Sequence, residues 1–449
     1  MRLLPSVRCW LVLVPLALLA SPTLAHEGFP DTTSVTVRRD HPEDIIVGAT
    51  FGAVVSRDSG KTWRWICPEA MLYGGWRPET YLWQPDGDLL AATGASLLRS
   101  RDGGCTWQVH PFFSSRGLWA MSLASPDSQP SRVWVVTSRA TGSSPNGLYR
   151  SDDGGETFTV TSLRHADAQF TAVKVAPSDT RRIYVSNSLP SGPRIHRSDD
   201  EGATWEEIRP TLPIFERPPY DLFVLQVSDK DPDHLWARVT AVQESAPPGA
   251  YTYVLESTDG GRTFRSTFKL DEYLIGIEAS ADGRTVWAAT PTRLYRSRDG
   301  EPAALLPLPD GNACVKREGD VLFVCGADRT HDWVLARTRD EGDTYEPLFA
   351  LPNIQGPTCP AGTPTRDVCR PRWPQFAPSI GADPALPPEE PGRTDAGTPD
   401  AGSPDAGSSG GTEPPPRTHG CSTTGVLMPA ACLLALATFR HFRRQHPKT

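Results

Sequence analysis

One eight-residue motif recurs along the chain and constrains its fold more than any other feature. Its first copy spans Ser56–Trp63, and the shared pattern is Ser/Thr-x-Asp-x-Gly-x-Thr-aromatic. The sixth copy, which begins at Ser297, loses its second half, and the seventh runs from Thr338 to Tyr345. The seven aspartates, spaced 40 to 59 residues apart, are Asp58, Asp102, Asp153, Asp200, Asp259, Asp299 and Asp340. Repeats of this length are typical of propellers.

Each position of the motif has a role in a hairpin turn. The Asp carboxylate can accept hydrogen bonds from the backbone N–H groups that follow it, and the Gly fits a position with positive φ. The Thr begins the next strand, and the closing aromatic residue can bury a large area between neighbouring units. A Ca²⁺ site needs six or more oxygen ligands, and each motif offers only a few. We therefore predict that the seven aspartates are structural, and we expect no metal and no cofactor.

Apolar runs flank the motifs and divide each repeat into four strands. One run, such as Ala53–Val55, directly precedes the motif, and a second, such as Ile45–Val47, lies before it. The order is strand A, turn, strand B, loop, strand C, motif, strand D, which makes an antiparallel propeller blade. Seven units fill Thr33–Leu351, so we predict an all-β fold with a single seven-bladed β-propeller. An open β-solenoid is the alternative, and the four-strand rhythm argues against it.

The motif resembles the Asp-box, or BNR repeat, of the sialidase, sortilin-type, xyloglucanase and photosystem-assembly propellers. The resemblance covers about Thr33–Leu351 and implies the fold, but Asp-boxes occur in enzymes and binding proteins alike. Sialidases of this superfamily have six blades and an Arg-Ile-Pro motif. This chain has seven units, and its nearest match to that motif is Arg194-Ile195-His196. Xyloglucanase-like enzymes place their cleft between two propellers. The single seven-bladed photosystem-assembly propellers are non-catalytic, and they match the predicted architecture better.

The predicted strand order separates a regular face from a variable one. The motifs form the C–D turns and share a face with the A–B turns, whereas the B–C loops and D–A connections lie opposite. Two long D–A connections mix aromatic and charged residues, a combination that suits sugars or peptides. The candidate ligand-binding residues are Tyr73, Trp76, Arg77, Glu79, Phe215, Glu216, Arg217, Tyr220 and Asp221. Loop packing over the channel mouth is the alternative role for these residues.

A glycoside hydrolase is the alternative function for the same face. Such enzymes need two carboxylates that flank the scissile bond. Glu216 with Asp221, or Asp271 with Glu272, could supply them, but the sequence does not give their separation. We therefore predict a non-catalytic module that binds a glycan, peptide or protein, and we assign no catalytic residue.

The cysteines of the body are candidates for disulfides in an exported protein. Cys314 and Cys325 flank a predicted hairpin whose turn is Gly319-Asp320, which places the two cysteines opposite each other. Cys359 and Cys369 could close a small loop, and Cys67 and Cys105 would pair only by elimination. None of the six has the C-x-x-C spacing of a zinc site.

The N-terminal residues 1–25 are typical of an export signal. They combine Arg2 and Arg8 with a short apolar run and the small residues of Thr23-Leu24-Ala25, which predict cleavage after Ala25. An uncleaved membrane anchor is the alternative, but the apolar run is short for one.

The C-terminal part of the chain changes composition twice. Residues 352–384 are predicted to be an irregular extension with two cysteines, and residues 385–419 are a Pro-, Gly-, Ala- and Asp-rich linker without a core, hence disordered. Residues 420–449 contain Cys421, an apolar stretch that predicts a short hydrophobic helix, and an arginine cluster. They resemble the MYXO-CTERM sorting tail of myxobacterial surface proteins, which implies processing near Cys421 and attachment at the cell surface. A plain membrane anchor is the alternative.

Charge excludes one further class of function. The net charge is −8, and the main body has no basic run, so nucleic acid is a poor candidate partner. The expected partners are the glycan or protein ligand, the export and C-terminal sorting machinery, and the membrane that the tail would enter.

Overall fold

The computed structural model describes residues 32–387, apart from 73–79, 139–144, 167, 190, 220, 246, 302, 307 and 309–313. The predicted export signal, linker and sorting tail, with Ala25 and Cys421, lie outside the described residues.

Seven antiparallel sheets of four consecutive strands form the body and confirm the prediction of a seven-bladed propeller. Blades 1 and 2 contain β1 (Thr32–Val37), β2 (Ile45–Ala49), β3 (Gly52–Ser56), β4 (Trp63–Ile66), β5 (Thr80–Trp83), β6 (Leu89–Ala92), β7 (Leu97–Ser100) and β8 (Gln108–Val109). Blades 3 and 4 contain β9 (Trp119–Ala124), β10 (Val133–Ser138), β11 (Asn146–Ser151), β12 (Thr159–His165), β13 (Gln169–Ala176), β14 (Asp179–Ser188), β15 (Arg194–Ser198) and β16 (Glu206–Ile208).

Blades 5 to 7 follow the same order. They contain β17 (Phe223–Val227), β18 (Leu235–Gln243), β19 (Gly249–Ser257), β20 (Arg265–Leu270), β21 (Gly276–Ala279), β22 (Thr285–Ala289), β23 (Leu294–Arg298), β24 (Ala304–Leu305), β25 (Val315–Glu318), β26 (Val321–Cys325), β27 (Leu335–Thr338) and β28 (Glu346–Phe349). The described helices are one turn long: α1 (Pro111–Ser114), α2 (Asp328–His331) and α3 (Trp373–Phe376).

The repeated motif lies at the C–D turn of every blade, as predicted. In six copies the Asp carboxylate accepts a hydrogen bond from the Ser or Thr two residues earlier and from the backbone N–H of the Thr four residues later. The exception is Asp299 in the degenerate sixth copy, whose carboxylate accepts from Arg284 Nε at 2.5 Å. The aspartates of the six intact copies therefore accept the hydrogen bonds that connect the two ends of the turn.

The closing tryptophans of the motif pack between blades. Trp63 and Trp107 are almost fully buried, and each indole N–H donates to the carbonyl of the Gly in its own motif, at 2.9 Å for Trp63 and 3.1 Å for Trp107. Each ring therefore buries a large apolar area while its one polar atom keeps a partner.

The segment after blade 7 folds onto the propeller. A two-residue strand, β29 (Ile354–Gln355), pairs in parallel with β4 and makes blade 1 five-stranded. Trp373 is fully buried, and the ring of Phe376 stacks on Trp65 at 4.5 Å. After β29, the extension consists of single helical turns that pack against the propeller.

The disulfides agree with one predicted pairing and contradict another. Cys314 and Cys325 are bonded across the β25–β26 hairpin, as expected. The predicted Cys359–Cys369 loop is wrong: Cys369 is bonded to Cys67 and Cys359 to Cys105. The pairing of Cys67 with Cys105 by elimination is therefore also wrong, because the extension passes beside blades 1 and 2 and leaves one cysteine at each.

Candidate functional site

The candidate ligand-binding residues fall into two groups in the structure. Tyr73, Trp76, Arg77 and Glu79, together with Tyr220, lie outside the described residues. The second connection is described at Phe215, Glu216, Arg217 and Asp221, on the face opposite the motifs.

The described residues of that connection fasten it to the long β18–β19 hairpin of blade 5. The ring of Phe215 packs against Tyr253 at 4.9 Å, and Arg217 forms an ion pair with Glu244. Glu216 accepts hydrogen bonds from the backbone N–H groups of Glu244 and Ser245 and from the Ser245 hydroxyl. These contacts match the loop-packing alternative.

Two further observations indicate that the carboxylates of this connection also serve to hold the loop in place. The Asp221 carboxylate accepts from the Thr240 backbone N–H at 2.9 Å. Hydrogen bonds from the Ser245 side chain and backbone hold the pKa of Glu216 below its ordinary value. A carboxylate whose ionised form is stabilised in this way is a poor proton donor.

The second carboxylate pair of this face, Asp271 and Glu272, is also engaged. Asp271 lies 3.9 Å from Arg293. Burial would raise the pKa of Glu272, but hydrogen bonds from Thr290 and Thr292 outweigh it and lower that pKa. Each candidate pair thus contains a glutamate that is kept ionised.

A cavity of about 960 Å³ runs through the centre of the propeller. The innermost strand of every blade lines it: β1, β5, β9, β13, β17, β21 and β25. Because these strands begin at the face opposite the motifs and end at the A–B turns, one end of the cavity opens among the variable loops. We call this end the mouth.

Arg238 is the most unusual residue of the mouth. Its guanidinium lies 3.9 Å from the ring centroid of Phe223 and 4.9 Å from that of Tyr273, and it donates to the Tyr273 hydroxyl at 3.0 Å. Among the described residues no carboxylate pairs with it. Its remaining N–H donors are therefore available to a ligand.

The surroundings of Arg238 favour a ligand whose frame is flat or apolar. The side chain of Arg238 is 8% exposed, whereas Tyr273 is 55% exposed and Ile275 is 36% exposed at the same opening. An aromatic face beside a rigid guanidinium is a combination that binds planar anionic groups on an apolar or sugar-like frame.

Arg238 was missed by the sequence analysis, although a signal was present. It stands in strand B at a position where the other blades have small or aliphatic residues. These residues, aligned by the strand pairing, are Gly48, Ala92, Val136, Ser186, Ala289 and Cys325. Aligning the repeats against one another would have marked the arginine as an exception.

The carboxylates that line the cavity lie toward the motif face, away from the mouth. Asp127 pairs with Arg39, Asp229 with Arg317, and Glu278 with Lys316 at 3.2 Å. Glu318, the fourth, lies 3.9 Å from Lys316. The described part of the mouth therefore has a cation and aromatic rings but no lining carboxylate.

Two features are absent from the described residues. These residues contain no group of three or more His, Cys, Asp or Glu side chains arranged to hold a metal ion. They also contain no helix with the length and apolar character needed to cross a membrane.

Comparison with known proteins supports the fold and little beyond it. No family model matches the chain. The xyloglucanase of Hypocrea jecorina (strain QM6a) is 27% identical over 119 residues, which are 26% of this chain and only 13% of that protein.

Among solved structures, an ancestral GH74 enzyme superposes with a TM-score of 0.51 at 11% identity, covering 70% of this chain and 46% of its own. YCF48 from Cyanidioschyzon merolae gives a TM-score of 0.44 at 17% identity, with coverage of 68% and 94%. The chain thus spans less than half of the GH74 enzyme, and at such identities the likeness concerns the propeller fold alone.

Proposed function

We propose that this protein is an exported, surface-anchored propeller that acts as a non-catalytic binding module, with its ligand at the mouth of the central cavity. The observation that carries the proposal is Arg238, held between two aromatic rings without a carboxylate partner among the described residues. The ligand class that fits is a glycan or peptide with a carboxylate group.

The geometry of Arg238 favours recognition over a purely structural role. A guanidinium that supports packing at a protein surface is usually neutralised by a nearby carboxylate, as Arg217 is by Glu244. Arg238 is instead fixed by stacking, so little side-chain entropy is lost when a carboxylate binds to its free edge. Tyr273 then offers a face to the frame that bears the carboxylate.

The state of the carboxylates on this face argues against hydrolysis. Glycoside cleavage by the usual mechanism needs one carboxyl group protonated as a general acid. Glu216 and Glu272 both have lowered pKa values, and both are held by hydrogen bonds within the protein. The similarity to xyloglucanase over 119 residues nevertheless makes a glycoside hydrolase the second candidate.

The binding proposal is tested with the full chain on an array of glycans and peptides that includes acidic members. We expect Arg238→Lys to weaken binding of a carboxylate-bearing hit by about tenfold, because lysine neither stacks flat nor donates in a bidentate fashion. Arg209→Lys is the matched control, since Arg209 is exposed on the outer part of blade 4. Equal binding by both variants would place the ligand elsewhere.

The hydrolase candidate is tested on the same hits. Each bound glycan is incubated with the protein and analysed for shorter products. Cleavage that disappears in Glu216→Gln or Asp221→Asn would replace the binding proposal by catalysis.

The proposed location rests on residues 1–25 and 420–449, which lie outside the described residues. Intact-mass analysis of the surface form is expected to show a chain that begins at His26 and ends near Cys421. Cys421→Ala should leave the chain unprocessed or released into the medium. A surface form that retains residues 422–449 would contradict the sorting-tail hypothesis.

A further inference from the structure

Seven residues form a ring at one level of the central cavity. Each stands in the innermost strand of its blade and pairs with the second residue of the buried strand-B run, and all seven line the cavity. The ring consists of Thr36, Leu82, Ala124, Lys174, Gln226, Glu278 and Lys316, opposite Ile46, Leu90, Trp134, Tyr184, Trp236, Trp287 and Phe323. Blades 1 to 3 contribute small or apolar side chains, with Thr36 the one hydroxyl. Blades 4 to 7 contribute the four long polar ones, which we call the polar arc.

Charge within the polar arc is unbalanced. Glu278 is satisfied by Lys316 at 3.2 Å, and Lys316 also lies 3.9 Å from Glu318. Lys174 is half-buried and makes no hydrogen bond or ion pair with any described residue. Burial, together with the charge of Lys316, lowers the pKa of Lys174 to about 8. A bound anion would supply the counter-charge that the ammonium lacks.

Gln226, next to Lys174 in the arc, has a buried polar end without a partner. Its Oε1 atom is inaccessible and accepts no hydrogen bond. The oxygen and nitrogen of such an amide can exchange places, but in either orientation the buried end is unsatisfied. A buried group of this kind costs free energy, and a ligand in the cavity does not reach it. The opposite end of the amide is not among the inaccessible atoms, and Gln226 lines the cavity, so a ligand hydroxyl would pair with that end, accepting from the nitrogen or donating to the oxygen.

We propose that the polar arc binds a small hydroxylated carboxylate, such as a hydroxy acid or a sugar acid. The carboxylate would lie against the Lys174 ammonium, and a hydroxyl of the same molecule would pair with the Gln226 amide. The cavity volume of about 960 Å³ is ample for a single sugar acid. This site goes beyond the proposed function, because it lies inside the channel and does not require a ligand at Arg238.

The direct test is calorimetric titration of the full chain with sodium D-glucuronate, sodium lactate, D-glucose and sodium phosphate. We expect glucuronate or lactate to bind and glucose to fail, because glucose lacks the anionic group. Lys174→Met should weaken binding by at least about tenfold, which is about 1.4 kcal/mol, and Gln226→Met should weaken it as well. Lys230→Met is the matched control, since Lys230 is exposed after β17.

A second measurement uses the unaltered protein and so does not depend on the folding of a variant. Lys174 is acylated with an N-hydroxysuccinimide ester, and its modification is quantified by peptide mass spectrometry with and without glucuronate or lactate. Protection of Lys174, but not of Lys230, is the expected result.

Three results would overturn the proposal. The first is that neither glucuronate nor lactate binds or protects Lys174. The second is equal binding by the wild type and Lys174→Met. The third is phosphate binding that matches the carboxylates and is unaffected by Gln226→Met, which would assign the arc to an inorganic anion. If the second result is accompanied by loss of carboxylate binding in Arg238→Lys, the ligand lies at the mouth.

Discussion

At the scale of single residues, the motif aspartates act as acceptors that hold a turn together. Asp153 accepts from the Ser151 hydroxyl at 2.6 Å, from the Thr157 backbone N–H at 2.9 Å and from the Thr157 hydroxyl at 2.5 Å. Burial would raise the pKa of Asp153, but these hydrogen bonds outweigh it and lower the pKa from 3.8 to about 2. The ionised form is thus stabilised by folding.

Asp153→Asn tests this role. The amide keeps one acceptor oxygen but loses the charge and the second acceptor, so we expect the free energy of unfolding at pH 7 to fall by about 1–2 kcal/mol. Asp299→Asn is the matched control, because Asp299 makes none of the turn bonds and contacts Arg284 instead. Chemical denaturation of the two variants provides the comparison, and an equal loss in both would contradict the turn role.

The same hydrogen bonds predict a dependence on pH. Since the folded pKa of Asp153 lies below its ordinary value, its contribution is fully present above about pH 4 and is lost as the pH falls toward 2. The difference in stability between the wild type and Asp153→Asn should therefore narrow over that range.

At the scale of elements, the blades could be predicted because their information is local. Every strand B contains a short apolar run. Every strand C except β23, which ends at Arg298, ends in the motif serine or threonine, and the motif sets the hairpin that follows. The register then repeats: Ile45, Leu89 and Val133 each face the first residue of a motif. Both the count of seven blades and the face that carries the motifs followed from this pattern.

Features that depend on closure of the ring could not be predicted from such a local pattern. Cys359 and Cys369 are ten positions apart in the sequence, yet their partners are 254 and 302 residues away. The repeat pattern does not indicate which blades the extension packs against, so it does not predict the partners of these two cysteines. For the candidate site, the sequence predicted only the face opposite the motifs. Arg238 and Lys174 could not be singled out, because what distinguishes them is their neighbours on other strands.

At the scale of the whole molecule, every blade is built from four consecutive strands, and the segment after blade 7 adds β29 to the outer edge of blade 1. The ring is closed where blades 1 and 7 lie side by side. They meet through the Trp63 and Phe349 rings, whose centroids lie 4.2 Å apart, and through a hydrogen bond from the Thr32 hydroxyl to the Val334 carbonyl. Residues 354–387 then cross from blade 7 to blades 1 and 2, and we call them the strap.

The strap is bonded to the propeller at several points. Cys369 is joined to Cys67 in blade 1 and Cys359 to Cys105 in blade 2. The Thr365 hydroxyl donates to the Gly104 carbonyl at 2.9 Å, and α3 packs on Trp65. The first and last parts of the propeller are therefore connected covalently as well as through the short β29–β4 pairing.

The corresponding prediction concerns replacement of the four cysteines of the two strap bridges, Cys67, Cys105, Cys359 and Cys369, with alanine. Each bridge closes a long loop of the unfolded chain, so its loss should cost about 2–5 kcal/mol, and the melting temperature should fall. The strap should become sensitive to limited proteolysis, because β29 contributes only two residue pairs to hold it. Cys314→Ala with Cys325→Ala is the control, since that bridge spans 11 residues within one blade and should leave the strap resistant. A four-cysteine variant that melts like the wild type and keeps its strap uncut would show that the aromatic packing of α3 closes the ring by itself.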